Sequence, residues 1–218
     1  GRLACGWIGK GRLPGTAEII EMIKSSLCPL DFQGVRIIVT AGPTREAIDP
    51  VRYISNKSSG KMGYSVAMAA AARGAKVVLI SGPSALEPPR GVEFVSVLTA
   101  EEMMEAVLGR YQDCDVVIKA AAVADYRPKK SAGHKIKKGK DNPVLELEEN
   151  PDILERLGRE KSKQFLVGFA AETEDLERNA RKKLIEKNLD MLVANDVTRE
   201  GAGFDYDTYI VKLLYRDG

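Results

Sequence analysis

Asn56, Ser58, Ser59, Gly60 and Gly63 fall in the stretch YISNKSSGKMG, just ahead of an alanine-rich run, YSVAMAAAARG. Backbone N–H groups of such a loop, with the open N–H groups of a following helix, can cradle a phosphate or carboxylate. Gly60 and Gly63 would let the backbone approach the anion, while Ser58, Ser59 and Asn56 supply neutral hydrogen bonds. The stretch approaches a Walker A loop but lacks its first glycine, and Lys61 is followed by Met62 rather than Ser or Thr. The plain alternative is a helix capped by Ser58 or Ser59 after a polar loop, which leaves Asn56 without a task.

Two further segments carry chemistry. In AAAVADYRPKKSAGHKIKK a strand ends in small alanines, so a flat group can sit against its carboxyl edge, and Asp125 there can accept hydrogen bonds from a base or sugar or help hold a metal. Lys135, Lys137 and Lys138 follow in a segment whose ordinary reading is a solvated surface; His134 reads as a loop residue. In GFAAETEDLERNARKKLIEKNLD, Lys183 and Lys187 share a helical face and repel unless an anion lies between them or Glu177 and Glu186 offset them. Phe169 can stack on a base or serve the core. NPDIL, with Pro151, Asp152, Ile153 and Leu154, reads as a helix start with proline in its first turn.

These residues need a scaffold, and the intervening pattern supplies one. VRIIVTAG, AKVVLISG, VEFVSVL, DVVIKAAAV, FLVGFA, DMLVAND and YIVKLLY read as strands. Helices are expected over Thr16 to Leu27, over Tyr64 to Arg73 with Gly74 as its stop, over Thr99 to Arg110 with Thr99 as its cap, and over Glu174 to Asn188. Continuous β-branched strands alternating with helices predict an α/β fold: a Rossmann-like, mostly parallel sheet with helices on both faces. Asp125 to Asn150 is too long for an ordinary connection, and within it HKIKK and PVLELEE are expected to pair as an inserted hairpin arm that is either disordered, a lid or a dimer contact.

A net charge of +2, from 33 basic and 31 acidic residues, is too balanced for non-specific nucleic-acid binding. Cys5, Cys28 and Cys114 are scattered and lack metal-ligand spacing, which favours a reducing compartment, the cytosol. No apolar run approaches the roughly 20 residues of a membrane span. A nicotinamide-dependent oxidoreductase is disfavoured: the first strand runs into TAGPTREAIDP rather than G-x-G-x-x-G, and the second ends LISGP without the ribose-binding acid. The chain opens at Gly1 without Met, as a piece of a longer protein would.

Taken in order, TAGPTREAIDPVRYISNKSSGKMG, AAAVADYRP, KIKK, NPDIL, VGFAAET and KKLIEKNLDMLVANDV closely resemble the phosphopantothenoylcysteine synthetase domains of bifunctional coenzyme A biosynthesis proteins. The resemblance covers about residues 34 to 217. Ala47 stands where that family commonly has proline, and the chain stops at LLYRDG, short of a final helix expected of the family. ACGWIGKGRL resembles the substrate-clamp motif of the flavin-dependent decarboxylase that precedes such domains, with Cys5 matching its proton-donating cysteine. The resemblance therefore implies a decarboxylase remnant over residues 1–33 and a ligase domain over 34–218, with FMN belonging only to the absent flavin domain and no decarboxylation expected here.

The resemblance implies ligation of 4′-phosphopantothenate to L-cysteine through an acyl-cytidylate made from CTP, with Mg²⁺, in a homodimer joined by the inserted arm. Asn56 would stabilise the acyl-cytidylate, and the Ser58 to Gly63 loop would take phosphate. Asp125, Pro151, Asp152, Ile153, Leu154 and Phe169 match nucleotide contacts, and Lys135, Lys183 and Lys187 match residues facing the triphosphate, Lys135 also serving the second half-reaction. The alternative is a non-catalytic dimeric nucleotide-binding module.

Overall fold

The computed structural model describes residues 15–138, 144–172, 176–196 and 211–216. Helix α1 (Thr16–Leu27) precedes β1 (Arg36–Ala41), an Ile-Ile-Val run buried beyond its first residue. Between β1 and helix α2 (Lys61–Ala72) the chain inserts a hairpin, β2 (Arg45–Ala47) and β3 (Tyr53–Ser55). β4 (Lys76–Ser81), β5 (Glu93–Ser96), α3 (Ala100–Tyr111) and β6 (Val116–Lys119) follow. The arm leaves through β7 (Tyr126–Pro128) and returns through β8 (Leu147–Glu149) into α4 (Ile153–Glu160); β9 (Phe165–Glu172), α5 (Leu176–Glu186), β10 (Met191–Asp196) and β11 (Val211–Tyr215) complete the order.

Seven strands form one Rossmann-like sheet in the order β11-β10-β9-β6-β1-β4-β5. All neighbours run parallel except β10 and β11. The chain goes from β1 out to β4 and β5, then returns to β6 on β1's other side. The carboxyl ends of β1 and β6 therefore flank the place where strand order reverses, which is where open α/β sheets form ligand crevices.

Alternation along β1 divides the core. Ile37, Val39 and Ala41 pack with Tyr64, Ala67 and Ala70 of α2, while Ile38 joins Met103, Val107, Leu157, Leu166, Leu184 and Leu192 on the opposite face. Helices thus cover both faces, as expected.

Several boundaries differ from the expectation, each for a local reason. α2 begins at Lys61 rather than Tyr64, because Gly60, at φ 83°, turns the chain directly into the helix; Gly60 is the N-cap residue, and Ser59 Oγ accepts from the Lys61 N–H at the helix start. β6 stops at Lys119, since the alanines after it bond to a side chain of β1 and to the loop that follows β1 rather than to a strand backbone. Pro151 lies before α4 rather than inside its first turn, and Asp152 caps the helix by accepting from the Glu155 N–H at 3.0 Å. α5 ends at Glu186, two residues before Asn188 adopts the left-handed φ of 52°. Thr99 caps α3 as predicted, accepting from Glu102 N–H at 3.1 Å.

The arm also pairs differently. Tyr126–Pro128 pair with Leu147–Glu149, reinforced by Arg127 on Glu148 at 2.8 Å; HKIKK forms no strand. Its residues are drawn elsewhere. Ala132 N–H donates to Ile48 O at 2.9 Å, Ile136 N–H donates to the Asp49 carboxylate at 3.1 Å, and Arg52 donates to Ile136 O at 3.0 Å. The start of the arm is thereby strapped to the β2–β3 hairpin.

Candidate active site

The crevice wall is the alanine segment after β6, held by side chains from three distant stretches. Thr40 Oγ1 accepts from Ala121 N–H at 3.2 Å, and Thr44 Oγ1 accepts from Ala124 N–H at 3.0 Å. Ala122 N–H donates to Gly42 O at 2.9 Å. Asn56 Nδ2 donates to Val123 O at 2.9 Å, and Asn150 Nδ2 to Ala124 O at 2.8 Å. Backbone polar groups that leave the sheet need such partners. The consequence is that TAGPT, Asn56 and Asn150 set the position of one wall together.

The opposite wall is the loop ahead of α2. Ser58 Oγ accepts from Gly60 N–H at 3.2 Å, and Ser59 Oγ from Lys61 N–H at 3.4 Å. Gly63 has a structural reason beyond close approach to an anion: a Cβ there would lie 2.5 Å from Ala41 Cβ and 2.9 Å from Thr40 O. Its absence lets the helix start pack directly onto the end of β1, aiming the opening turn along the carboxyl edge of the sheet.

Between these walls lies a cavity of about 430 Å³, lined among others by Asn56, Ser58, Ser59, Gly60, Gly63, Asp125, Phe169 and Lys183. A second cavity of about 390 Å³ is lined by Asp125, Pro151, Asp152, Ile153, Leu154, Lys183 and Lys187. Both are bounded by Lys119, Val123, Asp125 and Lys183, so they are two lobes of one crevice. Residues singled out from three separate segments thus converge at the strand-order reversal. Lys135 does not join them; it is exposed and lines neither lobe of its own chain. Cys5 lies outside the described residues.

The charges are partly spoken for. Lys187 pairs with Asp152. Burial pushes the Asp152 carboxyl up, but Lys187 and the Glu155 N–H outweigh it and the net shift is downward, so Asp152 stays ionised. The glutamates expected to offset the lysines are engaged elsewhere, Glu177 with Arg181 and Lys212, and Glu186 with Lys182. Arrangements of this kind, with cations and amides lining a crevice and small residues on its floor, suit a polyanion bearing a flat group.

Two residues, Lys119 and Asn195, escaped the sequence reading, whereas Asn150 stands within NPDIL. Lys119, the last residue of β6, bounds both lobes; a lysine closing the apolar run DVVIK at a ligand-binding edge was the available signal. The buried Asn195 lines the larger lobe and its Oδ1 accepts no hydrogen bond among the described residues; the same holds for Oδ1 of Asn150 in the smaller lobe. Orphaned acceptors of this sort are rare in native cores. Each is available to a donor on a ligand.

Residues 32–218 match the model of the DNA/pantothenate metabolism flavoprotein C-terminal domain. The chain is similar to the coenzyme A biosynthesis bifunctional protein CoaBC of Bacillus subtilis (strain 168), 52% identical over 222 residues, a match that takes in 100% of this chain and 55% of that protein. It therefore spans about half the length of the curated relatives it matches. Among solved structures it is similar to the C-terminal domain of a coenzyme A biosynthesis bifunctional protein CoaBC, at 53% identity and a TM-score of 0.73, covering 86% of this chain and 84% of that one. The DNA/pantothenate metabolism flavoprotein from Streptococcus pneumoniae is 28% identical with a TM-score of 0.75, covering 85% of this chain and 90% of the other.

Proposed function

The chain belongs to the DNA/pantothenate metabolism flavoprotein C-terminal domain family, and from that membership and the crevice we propose that it ligates 4′-phosphopantothenate to L-cysteine, using CTP to activate the acid. The observation that carries this reading is the two-lobed crevice sharing Lys119, Val123, Asp125 and Lys183, which has room for a nucleotide and an acid with their reacting atoms at the junction.

In the first step the pantothenate carboxylate attacks the α-phosphorus, forming a P–O bond as pyrophosphate leaves with the electron pair of the broken one. The cysteine amine then attacks the acyl carbon, forming the C–N bond as the acyl C–O bond breaks; CMP departs with that electron pair and the amine gives up a proton to water. Such chemistry asks the protein mainly to position the partners and offset charge. Asn56 hydrogen-bonds the acyl group without repelling it, the Ser58 to Gly63 loop takes a phosphate, and Lys183 and Lys187 face the triphosphate. Phe169 and Pro151 to Leu154 border the nucleoside, with Asp125 at its edge. Among the described residues no group of His, Cys, Asp or Glu could hold a metal ion by itself, so Mg²⁺ would enter on the triphosphate rather than occupy a site of the chain's own. When bound, that ion would help neutralise the departing pyrophosphate.

Lys135 completes the site from a partner protomer, a reading supported by its position outside both lobes of its own chain. The same reading assigns residues 34–218 to the ligase and 1–33, with Cys5, to the tail of a decarboxylase whose FMN belongs to that other domain. It places the enzyme in the cytosol. The described helices include none long and apolar enough to cross a membrane.

Pyrophosphate release tests the proposal. Protein, Mg²⁺, CTP and phosphopantothenate should yield pyrophosphate before cysteine is added, with CTP outcompeting ATP in the same assay. CTP bound intact, with no pyrophosphate formed, would instead identify a nucleotide-binding module.

A further inference from the structure

Lys119 is fixed more firmly than any other lysine of the crevice. Its backbone stands in register with Thr40 of β1 on one side and Gly168 of β9 on the other, in the middle of the sheet. From the carboxyl end of that strand its side chain bounds both lobes. The junction of the two lobes is therefore bounded by a lysine carried on a central strand.

Its surroundings are unbalanced. α5 and the residue after it bring Lys183 and Lys187; the α4 cap brings Asp152; the loop after β6 brings Asp125. Lys57 and Lys61 line the larger lobe from the α2 side, and Glu149 and Glu155 border the smaller one. Phe169 and Ala170 of β9 and Asn195 of β10 add no ionisable group. Asp152 is already paired with Lys187. Among the described residues no carboxylate stands within ion-pair distance of the Lys119 ammonium.

Resting on the nucleotide-ligase reading, we propose that Lys119 is a further phosphate contact of the crevice, and that arrival of the nucleotide loads a proton onto its amine. The physical cause lies in the groups around the amine. Burial, then the neighbouring Lys183, hold the Lys119 amine down to about 8, with Lys187 acting in the same direction against Asp152 and Asp125. The negative charge of a phosphate chain set among these lysines outweighs the burial and offsets the repulsion, so the amine binds its proton more tightly. Because the group is held low in the free protein and raised in the complex, uptake is largest where the free amine is neutral. It should be a fraction of a proton per site around pH 8 and grow as the pH is raised above that. CTP is fully ionised in that range and contributes little.

Isothermal titration calorimetry with CTP and Mg²⁺, repeated in buffers of different ionisation enthalpy, measures that uptake directly. Lys119→Met should lose it and bind CTP about tenfold more weakly. Lys119→Arg, permanently charged, should keep the affinity and lose the uptake, a combination that a packing role cannot produce. Uptake undiminished in either variant, or an arginine variant as weak as the methionine one, overturns the assignment while leaving the ligase reading intact. Absence of any CTP binding by the unaltered chain would overturn both.

Discussion

At Asn56 an amide does what an acid cannot. Its Nδ2 holds the alanine wall through Val123 O at 2.9 Å, and the residue lines the larger lobe. Aspartate has no N–H for that carbonyl and would set a negative charge beside an incoming carboxylate. Asn56→Asp should therefore lower pyrophosphate release on the order of a hundredfold; unchanged turnover would remove Asn56 from the chemistry. Lys183 bounds both lobes, so Lys183→Gln should weaken CTP binding by about 1–3 kcal/mol through loss of a charge-assisted hydrogen bond, and calorimetry returning the native affinity would exclude it. These two residues were legible because their segments carry several polar groups at close spacing. Lys119 was not, because a single lysine ending an apolar strand looks like an ordinary strand terminus until β9 and α5 pack around it.

The elements repeat that division between local and distant causes. The Thr99 cap and the glycine stop at Gly74 depend on a few neighbouring residues, and the sheet on β-branched runs. All were readable. The arm was misjudged because its placement depends on Asp49, which is buried and accepts from Ile136 N–H across 87 positions of sequence. Arg52, hydrogen-bonded to that carboxylate, is the chief cause holding the Asp49 carboxyl far below the usual range, outweighing its burial, and the backbone N–H groups of Val51, Ile136 and Arg52 add to it. A depressed carboxyl contributes stability above its unfolded value and loses it only as pH falls through the folded one. The strap should thus persist through mild acid and fail only in strong acid. Asp49→Asn weakens it at neutral pH, and the Ile136 amide should then exchange with solvent on the order of tenfold faster. An unchanged exchange rate would show that Ala132 and the β7–β8 pair hold the arm without Asp49.

For the whole molecule, the decisive geometry is that one chain presents Asn56 in the crevice and Lys135 away from it. In the proposed closed two-fold dimer each arm would meet the crevice of the other copy. It also makes a prediction that no single-chain arrangement shares. In a heterodimer of Asn56→Asp and Lys135→Gln chains, one site combines both substitutions, whereas the other combines native Asn56 from one chain with native Lys135 from its partner. Each variant alone should be nearly inactive, and an equal mixture, allowed to exchange subunits, should recover about a quarter of native turnover: half the dimers are mixed and each has one intact site. If Lys135 acted within its own chain, every site in the mixture would carry one defect and no activity would return. The same experiment at protein concentrations below dimer dissociation should abolish the recovery, since the intact site exists only across the interface.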